Sequence, residues 1–162
     1  YLSAAFACPY EGTVPAEVVV EWTDRMLAAG AAEIVVSDTI GAGTPDQCED
    51  LLTRLINRWP PETFALHLHN TRAMAMALTL AWIGVQHGLR KFDSSIGGLG
   101  GCPFAPGAAG NVATEDVLYL LQGLGIETGV DLNKLVTTGN WISGQLRRHN
   151  GSKVGQALGG QC

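Results

Sequence analysis

Four short stretches, at residues 1–6, 33–39, 64–70 and 91–96, read as strands, the first, YLSAAF, as a buried one. After each comes a segment whose apolar positions recur at helical spacing. Over residues 15–29, Val18, Val19, Trp22, Met26 and Leu27 share one face, with Pro15 suited to a first turn and Gly30 to a stop. A second helix is predicted over 45–58, capped by Thr44, with Leu51, Leu52, Leu55 and Ile56 inward, and Pro60-Pro61 ends it. Further helices are predicted over 73–87, 114–124 and 131–148. The fourth of the series carries Glu115 and Asp116 in its first turn, where carboxylates complement the helix dipole.

Strand starts near 1, 33, 64 and 91 recur about every 30 residues, the rhythm of βα units feeding a parallel sheet. No residue-level repeat accompanies it. The expected fold class is α/β. Four parallel βα units form either half of a TIM (β/α)8 barrel, which needs about 250 residues when whole, or a doubly wound sheet. Ligands gather beyond the C-terminal strand ends in both folds. The polar residues lie there: Ser37-Asp38-Thr39, His67 to Asn70, and residues 97–111. The chain opens on Tyr1, already inside a strand-like run, which suggests a piece of something longer.

Composition narrows the class. Apolar residues are 46% and charged residues 15%, a balance that suits a buried α/β enzyme and not a disordered chain. A net charge of −5 argues against general binding to nucleic acid or an anionic membrane surface. No apolar run reaches about 18 residues, so no membrane-spanning helix is expected. Cytoplasm is the default location in the absence of a visible targeting segment, with the mitochondrial matrix the alternative. Cys8, Cys48, Cys102 and Cys162 are too few and too scattered for a disulfide framework.

Two features carry candidate chemistry. Strand side chains alternate faces, so His67 and His69 present two imidazoles side by side, able to close on one cation or to sit as hydrogen-bonded polar residues at a strand end. Leu66 and Leu68 would then face the helices. The segment Gly97-Gly98-Leu99-Gly100-Gly101-Cys102-Pro103 is too glycine-rich for a helix or strand interior; it is mobile, or shaped for close backbone approach, or both. Its thiol is a candidate nucleophile or acid/base, or an incidental cysteine on a turn. Asn111 is a helix cap or an oxygen ligand to a hard cation. Asp38 is a partner to a ligand histidine or a cap before Gly41. The Gly41-Ala42-Gly43-Thr44 run lacks the lysine of a phosphate loop and reads as a tight βα turn.

These stretches, with Ala7-Cys8-Pro9-Tyr10-Glu11-Gly12, Asp93-Ser94-Ser95, Gly110-Asn111-Val112-Ala113-Thr114-Glu115-Asp116 and Ser152-Lys153-Val154, resemble the hydroxymethylglutaryl-CoA lyase family from residue 1 to about residue 158. The cysteine loop is the specific element; the H-x-H motif is shared by a wider group of metal-dependent carbon–carbon lyases and synthases. The resemblance implies one domain over residues 1–162, made of the last four βα units of the barrel plus a C-terminal helix. It implies a divalent cation, Mg²⁺ or Mn²⁺, held by His67, His69 and Asn111. Catalytic roles fall to Cys102, His67, Glu115 and Asp116, His67 being the candidate base, and substrate binding to Asp38. The implied substrate is an acyl-CoA, 3-hydroxy-3-methylglutaryl-CoA, split to acetyl-CoA and acetoacetate in leucine degradation and ketone-body formation. A homodimer is implied for the full-length enzyme, with no nucleic acid or membrane partner.

Two departures qualify the match. Asn70 stands where the family has Asp, and H-x-H-N is typical of related 2-oxo-acid/acetyl-CoA condensing synthases. The family's first four βα units, with an Arg-Asp pair that supplies a metal ligand and a substrate contact, are not in this sequence. The isolated chain is therefore expected to be inactive, and a non-catalytic metal-binding half-barrel is the remaining alternative.

Overall fold

A computed structural model describes residues 1–71, 76–103 and 110–159. The chain divides into two compact units, Tyr1–Asp93 with Cys102–Ala109, and Ser94–Gly101 with Gly110–Cys162.

In the first unit a short antiparallel hairpin, β1 (Ala7–Cys8) and β2 (Gly12–Thr13), precedes helix α1 (Ala16–Ala28). Then come β3 (Ile34–Asp38), α2 (Pro45–Ile56), β4 (Phe64–Leu68), α3 (Met76–Gln86) and β5 (Phe92–Asp93). The strands β3, β4 and β5 form one parallel sheet with β4 in the middle. The βα alternation expected from sequence is present. Every residue of β3 is buried, as are four of the five in β4, so both strands are covered on each face by helices or loops. That explains why Ile34–Val36 and Phe64–Leu66 are apolar at consecutive positions instead of alternating with polar residues.

Helix α2 begins where Thr44 and Gln47 cap each other: the Gln47 N–H donates to Thr44 Oγ1 and the Thr44 N–H donates to Gln47 Oε1. Its inward face is Cys48, Leu51, Leu52 and Leu55, all buried. Helix α3 lies so near the sheet that a Cβ at Gly84 would come within 2.7 Å of Leu66 Cδ1 and 3.0 Å of Phe92 Cε1. Leu66 does face a helix, as the alternation predicted.

Two strand expectations contract. Of residues 1–6, Leu2 alone bridges the sheet, in parallel with Val36. Ala4 takes a positive φ of 58°, which turns the chain out of extended geometry. The Ala5 N–H still donates to Ser37 O, so the segment stays docked without running as a strand. The run 91–96 holds β5 and then turns through Ile96–Gly98, where Gly97 adopts φ 58°. The hairpin of β1 and β2 was not anticipated, because two residues per strand leave no periodicity to detect. The predicted helix over 73–87 is observed from Met76, its first residues lying outside the described set.

The second unit holds α4 (Thr114–Gly123), α5 (Leu132–Gln145) and α6 (Lys153–Gly159). Asp131 caps α5 by accepting from the Asn133 and Lys134 N–H groups. Helix α6 was not read from the sequence; at seven residues, with small side chains, it shows little amphipathic pattern. Among the described residues no helix is long and apolar enough to cross a membrane.

Leu66 is fully buried under α3, so Leu66→Ala should lower unfolding free energy by about 2–5 kcal/mol, measured by urea denaturation. Burial, reinforced by the charges of Glu49 and Asp38, pushes the Cys48 thiol up to about 12. The unfolded thiol ionises first, near 9, so this contribution is intact below pH 9 and declines as pH rises toward 12. The stability difference between wild type and Cys48→Ala should therefore narrow between pH 7 and pH 10.5 in denaturation curves. A thiol reagent at pH 8 should label native Cys8 and Cys102, which are half-buried, far faster than Cys48.

Candidate active site

The end of β4 sets the geometry. His67 is the half-buried residue of a strand whose other members are buried, and His69 follows directly after it. The His69 N–H donates to Asp38 O at 3.3 Å, so the extended path continues one step beyond the strand. The two rings therefore project on the same side, with centroids 5.0 Å apart and planes inclined by 58°. Their Nε2 atoms face each other at 3.1 Å.

That separation restricts the chemistry. Two Nε2–H groups cannot oppose each other at this distance, so at least one nitrogen presents its lone pair. Two nitrogens bonded at about 2.1 Å to a common cation, at right angles, would stand about 3.0 Å apart. The pair thus fits a divalent cation. A second observation points the same way. His67 Nδ1, Asn70 Oδ1 and Thr71 Oγ1 are buried polar atoms without a hydrogen-bond partner among the described residues, all at this strand end. Clustered orphans of this kind are open to a bound water, ligand or ion as partner. No group of three or more His, Cys, Asp and Glu side chains converges as a metal cage among the described residues. Any further ligand must then come from an amide, the substrate, water or residues outside that set.

Asp38, at the end of β3, uses both carboxylate oxygens on the following turn: Oδ1 accepts from Ala42 N–H and Oδ2 from Gly43 N–H, each at 2.9 Å. This holds the turn whose Gly41, at φ 61°, lies against the backbone beyond β4. A Cβ at Gly41 would come within 2.6 Å of Thr71 N and 2.7 Å of His69 O. Asp38 and Gly41 together brace the strand end that carries the histidines. With these two contacts Asp38 caps the turn that follows β3.

Asp93 and Tyr1 were given no role in the sequence reading. In the parallel register Asp93 stands opposite His67. Its Oδ2 accepts the Tyr1 hydroxyl at 2.5 Å and lies 3.5 Å from His67 Nδ1. The Tyr1 ring packs edge-on to His67, with centroids 5.8 Å apart. The hydrogen bond to Asp93, then its negative charge, raise the Tyr1 pKa. An aspartate ending the strand after an H-x-H strand was the available signal; the register that aligns them was not.

In the second unit, Asn111 Nδ2 donates to Leu99 O at 2.9 Å, which orients the amide and leaves Oδ1 as its acceptor. Gly110, at φ 97°, packs against the Gly100 carbonyl where a Cβ would clash. The glycines bordering the cysteine loop thus serve close backbone approach. Glu115 is fully buried and both its oxygens accept from Gly97 N–H, at 3.1 and 2.9 Å. Asp116 Oδ1 accepts from Ser152 Oγ at 2.7 Å and Val154 N–H at 2.9 Å, tying down the start of α6. The observed work of both carboxylates is structural support. Cys102, in the first unit, is a half-buried free thiol. Residues 104–109, which follow it, lie outside the described set.

The HMGL-like family model matches residues 2–142. A mitochondrial hydroxymethylglutaryl-CoA lyase of Macaca fascicularis is 47% identical over 157 residues, covering 97% of this chain and 48% of its own length. A cytoplasmic 3-hydroxy-3-methylglutaryl-CoA lyase of Rattus norvegicus is 43% identical over the same length, so both compartments occur among the relatives. The crystal structure of the Pseudomonas aeruginosa hydroxymethylglutaryl-CoA lyase matches with a TM-score of 0.91 and 41% identity, over 99% of this chain and 53% of that one. The fold is therefore that of βα units of the lyase TIM barrel, not a separate doubly wound sheet. The chain spans about half the length of the curated relatives it matches. With its family model spanning most of the sequence and its parallel βα units superposing on a lyase of known structure, the chain belongs to the HMGL-like family.

Proposed function

We propose that the protein carrying this chain is a divalent-metal-dependent carbon–carbon lyase that cleaves 3-hydroxy-3-methylglutaryl-CoA to acetyl-CoA and acetoacetate. The observation that carries this reading is the convergence of His67 Nε2 and His69 Nε2 at 3.1 Å, in a chain whose relatives are named for that reaction. Those names do not favour the condensing-synthase alternative, despite Asn70. A homodimer in the full-length protein is part of the same proposal, checked by its mass in solution.

His67 and His69 are assigned as ligands through Nε2, and Asn111, by motif match, as an oxygen ligand through Oδ1. The amide oxygen suits a hard cation such as Mg²⁺ or Mn²⁺, the imidazoles suit a range of divalent ions, and this set includes none of the thiolate or thioether ligands that select a soft metal. When bound, the cation supplies Lewis-acid polarisation of the substrate's tertiary hydroxyl and neighbouring oxygens. An Nε2 lone pair committed to the cation is not available to take the hydroxyl proton, so the geometry favours His67 as ligand over His67 as base. Transfer of that proton to a general base, for which a water at the site suffices, lets the C2–C3 bond break: the C3 oxygen becomes the ketone of acetoacetate and the bonding pair moves to C2 as a thioester enolate. Cys102 is assigned to return a proton to C2, giving acetyl-CoA. Asp38, Glu115 and Asp116 are assigned as positioning residues that brace the loops carrying these groups.

In the intact protein, His69→Ala should abolish Mn²⁺ binding in titration calorimetry and reduce acetoacetate release to background; retained Mn²⁺ affinity would remove the metal reading. Cys102→Ala should lower kcat by about 10²–10⁴-fold while leaving Mn²⁺ affinity unchanged. The 162-residue chain alone should release no measurable acetoacetate.

A further inference from the structure

We infer that Asp93 is a positioning residue that fixes the tautomer and orientation of His67, so that Nε2 is the nitrogen free to bind a divalent cation. The inference rests on the metal-site reading above. It follows from three facts about one carboxylate. The parallel register of β4 and β5 places Asp93 beside His67. Asp93 Oδ2 faces His67 Nδ1 at 3.5 Å, and that nitrogen is buried with no hydrogen-bond partner. Tyr1 donates its hydroxyl to the same oxygen at 2.5 Å while its ring edge packs on the His67 ring.

A neutral imidazole carries one proton. If Nδ1 holds it, a carboxylate beside Nδ1 stabilises that tautomer and Nε2 keeps its lone pair; if Nε2 holds it, two lone-pair-bearing groups oppose each other at Nδ1 and Oδ2. The second arrangement leaves a buried acceptor facing an anion, so Asp93 selects the first. At 3.5 Å the contact is longer than a hydrogen bond. A shift of a few tenths of an ångström, within the freedom of two partly exposed side chains, closes it. Tyr1 limits the alternatives: its hydrogen bond keeps Oδ2 near the ring, and its edge contact restricts rotation of His67. A histidine ligand backed by a carboxylate is held in orientation and made a better donor, and losing the backing carboxylate costs metal affinity about 10–100-fold.

The test uses the intact protein with Mn²⁺ as the probe. Asp93→Ala should weaken Mn²⁺ binding about 10–100-fold by titration calorimetry, and Asp93→Asn, which keeps an oxygen acceptor without its charge, should recover part of the loss. Imidazole ¹⁵N spectra of the metal-free protein should show His67 protonated at Nδ1 in wild type, with that preference lost in Asp93→Ala. The wild-type spectrum needs no variant: protonation of His67 at Nε2 overturns the inference even if Asp93→Ala fails to fold. Unchanged Mn²⁺ affinity in Asp93→Ala, with His69→Ala losing the metal, also overturns it while leaving the metal site standing. Mn²⁺ affinity retained in His69→Ala removes the metal site and this inference with it.

Discussion

The register of the central strand governs the first unit. Parallel pairing sets His67 opposite Ser37 on one side and Asp93 on the other, and Asp38 opposite Leu68. Because side chains alternate along a strand, this one alignment decides which residues meet α3 and which project with the histidines. A slip of one residue would turn Leu66 away from Gly84 and bury His67 against a helix. Burial of Leu66 beneath α3 therefore fixes the direction of His67 as firmly as any contact the histidine makes itself.

Within each unit, the buried carboxylates find partners that are mostly backbone. Asp38 holds the turn after β3, Glu115 holds the turn at Gly97, and Asp116 holds the start of α6. A buried carboxylate that accepts backbone N–H groups is satisfied and orders a loop that lacks regular structure. Among the described residues, orphaned polar atoms occur at Ser143 on α5 and gather at the end of β4, at His67, Asn70 and Thr71.

The glycines make a related point. Gly84, Gly41 and Gly110 each stand where another atom comes too close to allow a Cβ. Gly84 sets the approach of α3 to the sheet, Gly41 the approach of the β3–α2 turn to the histidine strand, and Gly110 the closure of the second unit's loop on Gly100. Each serves as a spacer that lets backbone elements meet within its own unit.

The sequence by itself determined the βα rhythm, the parallel sheet, most helix positions, the Thr44 cap and the shared face of His67 and His69. These follow from local periodicity and propensity, which act over a few residues and are written directly in their order. The cysteine loop's specificity also lay in the sequence and pointed to the family. Tertiary structure decided what depends on distance through space. It gave Asp93 and Tyr1 to His67 through a register between strands some 25 residues apart and a docked segment further off still. It turned Glu115 and Asp116 to backbone groups far along the chain, and it broke the run at residues 1–6 at Ala4, whose backbone no residue pattern announces. Spacing could offer the two histidines to a cation; only the sheet's alignment shows which carboxylate stands behind them, because that neighbour comes from strand pairing and not from sequence order.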